Sequence, residues 1–186
     1  MACCGSYDVY DAMPCRYGVN MLHGMPQQGY DRIDRAILDR LQQHGRTANV
    51  DLAEAVRLSP SSCLRRTKAL EDDGVIAGYR AELDRDRLGL GLTVFIALKV
   101  DQHSRETSRT IEAALTAIPA VVACYVVSGE ADFLVEVAVS DLAAYERVLL
   151  DEILAIGPVR DARSTFAIRS VLSRGPLPLS GWPPKR

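Results

Sequence analysis

The chain of 186 residues has room for one large domain or two small ones. Its apolar fraction of 48%, charged fraction of 25% and net charge of −2 fit a soluble globular protein and exclude one coated in basic surface. They leave nucleic acid open as a partner, because binding depends on where positive charge sits rather than on its total. No stretch approaches the roughly 18 apolar residues that span a bilayer, and no basic region followed by an apolar run opens the chain. A cytoplasmic protein is expected.

Cys3, Cys4, Cys15, Cys63 and Cys124 are odd in number and irregular in spacing, which argues against a disulfide framework. Cys3, Cys4, Cys15 and His23 contain no C-x-x-C pair, so no metal site is expected. Residues 1–29 sustain neither a period of 2 nor one of 3.6, and are expected to form a disordered extension. Met21 and Met25 lie inside it, and a functional start near Met25 is expected.

The pattern changes at Asp31. Ile33, Ile37, Leu38 and Leu41 share one helical face, with Asp31 as N-cap, Asp34 three residues on and Gly45 as the stop. A second short helix holds Leu52, Ala53 and Val56. The third is the most strongly punctuated in the chain: Ser59 as N-cap, Pro60 at the first helical position and Gly74 beyond the end. Three short helices with a tight turn between the last two predict a helix-turn-helix domain over 30–78. VIAGYRAEL then reads as a strand or wing, and DRDRLGLG as a hinge, giving a linker over 79–91.

Further along, 92–100 predicts a strand, 107–118 a helix, 120–129 and 132–139 a hairpin, 142–154 a helix and 159–172 a last strand. The order β-α-β-β-α-β predicts a ferredoxin-like domain over 92–172, so the fold class is α+β. Such a sheet covers one face with its two helices and leaves the other for a partner, which predicts oligomerisation. The Pro/Gly-rich residues 173–186 predict an extended tail.

In the third helix Cys63, Thr67 and Leu70 face inward, leaving Ser61, Ser62, Arg65, Arg66 and Lys68 on the surface. The second helix of such a motif enters the major groove with its N-terminal residues nearest the bases. Ser59, Ser61 and Ser62 suit groove or phosphate hydrogen bonds, and Arg65 and Lys68 suit guanine edges or phosphates. Lys/Arg and Asp/Glu nearly balance across residues 30–80, so the architecture carries this reading rather than bulk charge. Glu71, Asp72 and Asp73 occupy the unfavourable end of the helix dipole, which stability alone does not explain.

DRIDRAILDRLQQHGR (31–46), LAEAVRLSPSSCLRRTKALEDDGVIAGYRAELD (52–84) and VVACYVVSGEADFLVEV (121–137) together resemble the Lrp/AsnC family of transcription regulators. The resemblance covers about residues 30–172. It implies a DNA-binding domain joined to an αβ domain that dimerises, with further assembly into octamers, and a small effector, usually an amino acid. It also implies that Ser128, Gly129, Glu130, Ala131 and Asp132 line the effector site. Exposed N–H groups in such a turn can hold a carboxylate, and Asp132 can accept from an ammonium.

Three departures stand out. Ala48 replaces the usual serine cap of the second helix, leaving Asn49 to take over. Arg57 replaces the usual turn glycine; a left-handed residue there is expected, offset by a reach to a DNA phosphate. Cys63 and Thr67 replace valines, and Thr67 is expected to bond a carbonyl one turn back. Only His23, His44 and His103 are available for catalysis, and no P-loop, Ser-His-Asp grouping or H-E-x-x-H is present, so neither an enzyme nor a cofactor is expected. Two alternatives stay open: a subunit resembling siroheme decarboxylase, and an effector sensor whose DNA-binding half has decayed.

Overall fold

A computed structural model of the chain describes residues 29–101 and 104–182. The expected extension therefore lies, except for Gly29, outside the described residues, as do Cys3, Cys4, Cys15, His23 and His103. The chain forms two compact units, divided after Tyr79 and again after Gly175.

The first unit opens with α1, Arg32–Gln43. Asp31 starts it through a reciprocal box: its Oδ1 accepts from the N–H groups of Ile33 and Asp34 at 2.8 and 3.0 Å, and Asp34 Oδ2 accepts from the Asp31 N–H at 2.9 Å. Helix α2 is Asn49–Ala55 and α3 is Pro60–Asp72. Asn49 does not take over the α2 cap. Ala48 occupies that position without a side-chain bond, while Asn49 Nδ2 donates to the Pro60 carbonyl at 2.9 Å and ties α2 to the first turn of α3. Ser59 caps α3 as expected, accepting from the Ser62 N–H at 3.3 Å.

Between α2 and α3, Arg57 adopts φ 57°. The Arg57 N–H donates to the Glu54 carbonyl at 3.1 Å and the Leu58 N–H to the Ala53 carbonyl at 2.9 Å. This pair of bonds closes a helix through one left-handed residue, and glycine normally fills that position. The expected left-handed arginine is thus present.

Ile37, Leu38, Leu52, Ala53, Cys63 and Leu70 form the core of this unit. Burial pushes the Cys63 thiol up from its ordinary range. Thr67 does not make the expected bond to a carbonyl one turn back. Its Oγ1 is buried without a partner of full hydrogen-bond geometry, facing the Cys63 thiol. After Gly74 (φ 72°) the chain runs on without forming the expected strand over 75–83.

The second unit, Arg80–Gly175, takes in the expected 79–91 linker from Arg80 onward, while Tyr79 belongs to the first unit. Arg85 donates to Thr93 Oγ1 at 3.0 Å and to Glu136 Oε1 at 2.8 Å. Gly91 lies so close to Asp86 that a Cβ would meet Oδ1 at 2.6 Å, and a larger residue there would displace the exposed Asp86 side chain.

The sheet follows: β1 Leu92–Val100, β2 Val121–Val126, β3 Phe133–Val139 and β4 Val159–Phe166, with α4 Arg105–Ala117 between β1 and β2, and α5 Leu142–Arg147 after β3. All pairings are antiparallel in the order β2-β3-β1-β4, which is the expected ferredoxin-like arrangement. Val94, Ile96, Leu98, Val135 and Val137 pack beneath Ile111 and Leu115 of α4 and Ile153 beyond α5.

Several details differ from expectation. The last helix becomes a wider π-helical stretch over Val148–Ile153. The last strand stops at Phe166 instead of running to 172. In β2 the register shifts between Val121 and Ala123, a bulge at Val122.

Candidate DNA-binding surface and effector loop

Helix α3 places Ser61, Leu64, Arg65 and Lys68 on its exposed side, at the spacing of one helical stripe. Leu64 is 56% exposed, an apolar side chain in the middle of an otherwise polar stripe. Sequence reasoning missed it, although its position three residues after Ser61 and four before Lys68 was available. At the N-terminal end the Ser59 hydroxyl lies 3.3 Å from that of Ser61 and 3.0 Å from that of Ser62. Arg57 is exposed in the preceding turn. Ser61, Arg65 and Lys68 therefore lie along one exposed side of the helix, with Ser59 and Arg57 exposed just ahead of it, while Ser62 is half-buried.

Arg66 is placed differently. Its guanidinium lies 2.8 Å from Asp34 Oδ1 and 3.0 Å from Asp31 Oδ2, the two acids that start α1. Hydrogen bonding to Asp34 raises the Arg66 pKa against the effect of burial. Asp31 is pulled below the ordinary carboxylate range: burial opposes this, but the N–H groups of Asp34 and Ile33 and the Arg66 charge outweigh it. Arg66 thus leaves the set of candidate DNA contacts. A helical wheel puts it on the surface, but its long side chain reaches back to a different helix.

The acids at the far end of α3 also find partners that the sequence does not reveal. The Tyr79 hydroxyl donates to Glu71 Oε1 at 2.9 Å, and the Tyr30 hydroxyl donates to Asp73 Oδ2 at 3.3 Å. Burial and the Glu71 carboxylate push the Tyr79 phenol to about 12, and burial with Asp73 raises Tyr30. Acids at the unfavourable end of the dipole are thereby used to fasten the segments that precede α1 and follow α3.

In the second unit the β2–β3 loop carries the other predicted site. The Val127 N–H donates to the Asp132 carbonyl at 2.9 Å, closing a loop over 128–131 in which Gly129 has φ 125°. Ser128, Gly129 and Glu130 are exposed, and Ala131 is half-buried. Glu130 Oε2 lies 3.6 Å from Arg163 Nη1 of β4. Asp132 sits at the base of the loop: its N–H donates to the Leu98 carbonyl and its Oδ2 accepts from the Val100 N–H, both at 2.9 Å. That carboxylate oxygen is committed to β1, so Asp132 anchors the base of the loop.

Comparison with known proteins agrees with both units. Residues 30–77 match the model of a winged helix-turn-helix DNA-binding domain, and residues 93–177 match that of the Lrp/AsnC ligand binding domain. The Bkd operon transcriptional regulator of Pseudomonas aeruginosa is 37% identical over 80% of this chain and 97% of its own length. The leucine-responsive regulatory protein of Escherichia coli K12 is 35% identical over 78% of this chain and 89% of its own. A Neisseria meningitidis transcriptional regulator, solved in complex with L-Met, superposes with a TM-score of 0.78 at 36% identity, covering 82% of this chain and 98% of the other. A helix-turn-helix unit joined to a ferredoxin-like ligand-binding unit defines an effector-linked transcription regulator. The chain belongs to the Lrp/AsnC family of DNA-binding transcriptional regulators.

Proposed function

We propose that α3 is the recognition helix, with Ser61, Leu64, Arg65 and Lys68 facing the major groove and Ser59 and Arg57 at the phosphate backbone. The observation that carries this reading is the exposed stripe of α3, left clear when Arg66 turns to Asp31 and Asp34. Arg65 is the candidate for a guanine edge, and Leu64 suits the methyl group of thymine. Lys68 and Arg57 suit phosphates, which fix register without reading sequence.

The effector in this reading is an amino acid, as the L-Met complex of the Neisseria relative suggests, and the 128–131 loop is its candidate binding element. Asp132 serves as the loop's anchor in this proposal. The sheet face opposite the helices, which carries Phe95, Leu134 and Tyr125, is the candidate surface for a second copy of the chain, with octamers as a higher assembly. The protein acts in the cytoplasm as a regulator rather than an enzyme. No helix among the described residues is long and apolar enough to cross a membrane.

Two measurements test the reading. Binding to a duplex selected by the chain from a random-sequence library is expected to weaken steeply with salt while keeping a preference over a scrambled duplex. A thermal-shift screen with the twenty amino acids is expected to show stabilisation by at least one of them. Absence of sequence preference at every salt concentration overturns the first part, and a flat screen overturns the second.

A further inference from the structure

The described C-terminal residues do not trail away as the sequence composition suggests. From Pro176 onward the chain belongs with the DNA-binding unit. The Leu177 N–H donates to Gln42 Oε1 at 2.6 Å, and Gln42 Nε2 donates back to the Leu177 carbonyl at 3.4 Å. Arg35, about two turns earlier on α1, donates to the Ser180 carbonyl at 3.3 Å. A single 3-10 turn, Leu179–Gly181, then places Leu179 and Trp182 against the core of α1, α2 and α3.

Trp182 stacks on Tyr30, with ring centroids 4.9 Å apart and planes inclined by 26°. Tyr30 in turn donates to Asp73, the C-cap of α3. A short relay therefore runs from the strap through Tyr30 to the end of α3 opposite its capped N-terminus. The matched family domains cover 30–77 and 93–177, so Leu179 and Trp182 lie beyond both.

We propose that residues 176–182 form a strap whose Trp182 is a positioning residue for the recognition helix, acting through Tyr30 and Asp73. The inference rests on α3 being the helix that reads DNA. It gives the DNA-binding unit a second covalent tie to the αβ unit, since the chain after β4 runs through residues 167–175 into the strap. The αβ unit is thereby joined to the reading head at both of its ends.

Trp182 is the chain's one tryptophan, so its fluorescence reports on the strap alone. In the full chain, acrylamide quenching is expected to be at least twofold weaker than for N-acetyltryptophanamide, and to rise towards that value in Tyr30→Ala. Quenching equal to the free indole in the unaltered chain overturns the docked strap. For the positioning role, binding is measured at one salt concentration to a duplex that the chain selects from a random-sequence library and to a scrambled duplex of equal length. Trp182→Ala is expected to lose five- to tenfold on the selected duplex and less than twofold on the scrambled one, with Trp182→Phe restoring most of the loss.

Gln42→Ala, which releases the other end of the strap, is expected to act in the same direction and carries the test if Trp182→Ala does not fold. An equal loss on both duplexes, or none, overturns the inference alone. An unaltered chain that cannot distinguish the duplexes overturns the DNA reading, and this inference with it.

Discussion

Arg66 Nη1 and Asp34 Oδ1 lie 2.8 Å apart, joining the middle of α3 to the first turn of α1 across 32 residues of sequence. The Asp34 side chain is only 10% exposed, so removing the guanidinium leaves a nearly buried carboxylate without its cation. Arg66→Met is expected to destabilise the DNA-binding unit by about 2 kcal/mol, the scale of a hydrogen bond to a charged group. A denaturant-unfolding cycle with Asp34→Asn checks it, and near-additive losses would argue against coupling.

Arg65 is expected to behave differently. Arg65→Ala removes no ion pair described here, so stability should move by less than about 0.5 kcal/mol. Binding to the selected duplex should weaken by about 1–3 kcal/mol and base preference should relax at one position. Uniform weakening on every duplex, with a shallower salt slope, would make Arg65 a phosphate contact instead.

At Arg57 two effects oppose each other. Replacing the left-handed arginine with glycine relieves strain worth about 1–2 kcal/mol, less the greater freedom of glycine in the unfolded chain. Arg57→Gly should therefore unfold at a slightly higher denaturant midpoint while binding DNA more weakly and with a reduced salt slope. Unchanged binding would leave the arginine without the expected phosphate.

Thr67 offers a simple gain. Its buried Oγ1 lacks a partner of full geometry, and valine has nearly the same shape without the hydroxyl. Thr67→Val is expected to stabilise the unit by about 1 kcal/mol, as measured by the unfolding midpoint.

Asp31 and Cys124 act at opposite ends of the pH range. Asp31 is held below its ordinary value of 3.8, so it stabilises the fold above that pH and the stabilisation fades as pH falls through the lowered value. Cys124 is raised from 9.0 to about 11 by burial and the Glu112 charge. It therefore favours the fold below pH 9.0, and this is lost as pH rises through about 11. Asp31→Asn should flatten the acid limb of the stability profile, and Cys124→Ala the alkaline limb.

Much of the architecture was legible because local signals carry it. Asp31 with Asp34, Ser59 with Pro60, and Gly74 each state a helix end in residue chemistry that needs no tertiary context. The apolar runs and their order sufficed for the ferredoxin-like sheet. What stayed hidden depends on long side chains and distant partners. Arg66 looked like its neighbour Arg65 until Asp31 and Asp34 were brought beside it. The bond from the Val100 N–H to Asp132 likewise needs β1 to be brought beside the loop. The anchors Leu179 and Trp182 were masked by the prolines and glycines around them, whose composition speaks of extension rather than attachment.

The bulge at Val122 has a consequence for the outer strand. Val121 pairs with Val137 on the core side, yet Ala123 pairs with Glu136 on the opposite side, so the odd–even count reverses within one residue. Downstream of that reversal Cys124 pairs with Val135 and joins the core, while Tyr125 pairs with Leu134 and stands 58% exposed. Strict alternation from Val121 would have exchanged their places, turning a thiol outward and burying a phenol. One surplus residue thus acts as a parity switch, and deleting Val122 would hand the protein a sheet surface written in different chemistry.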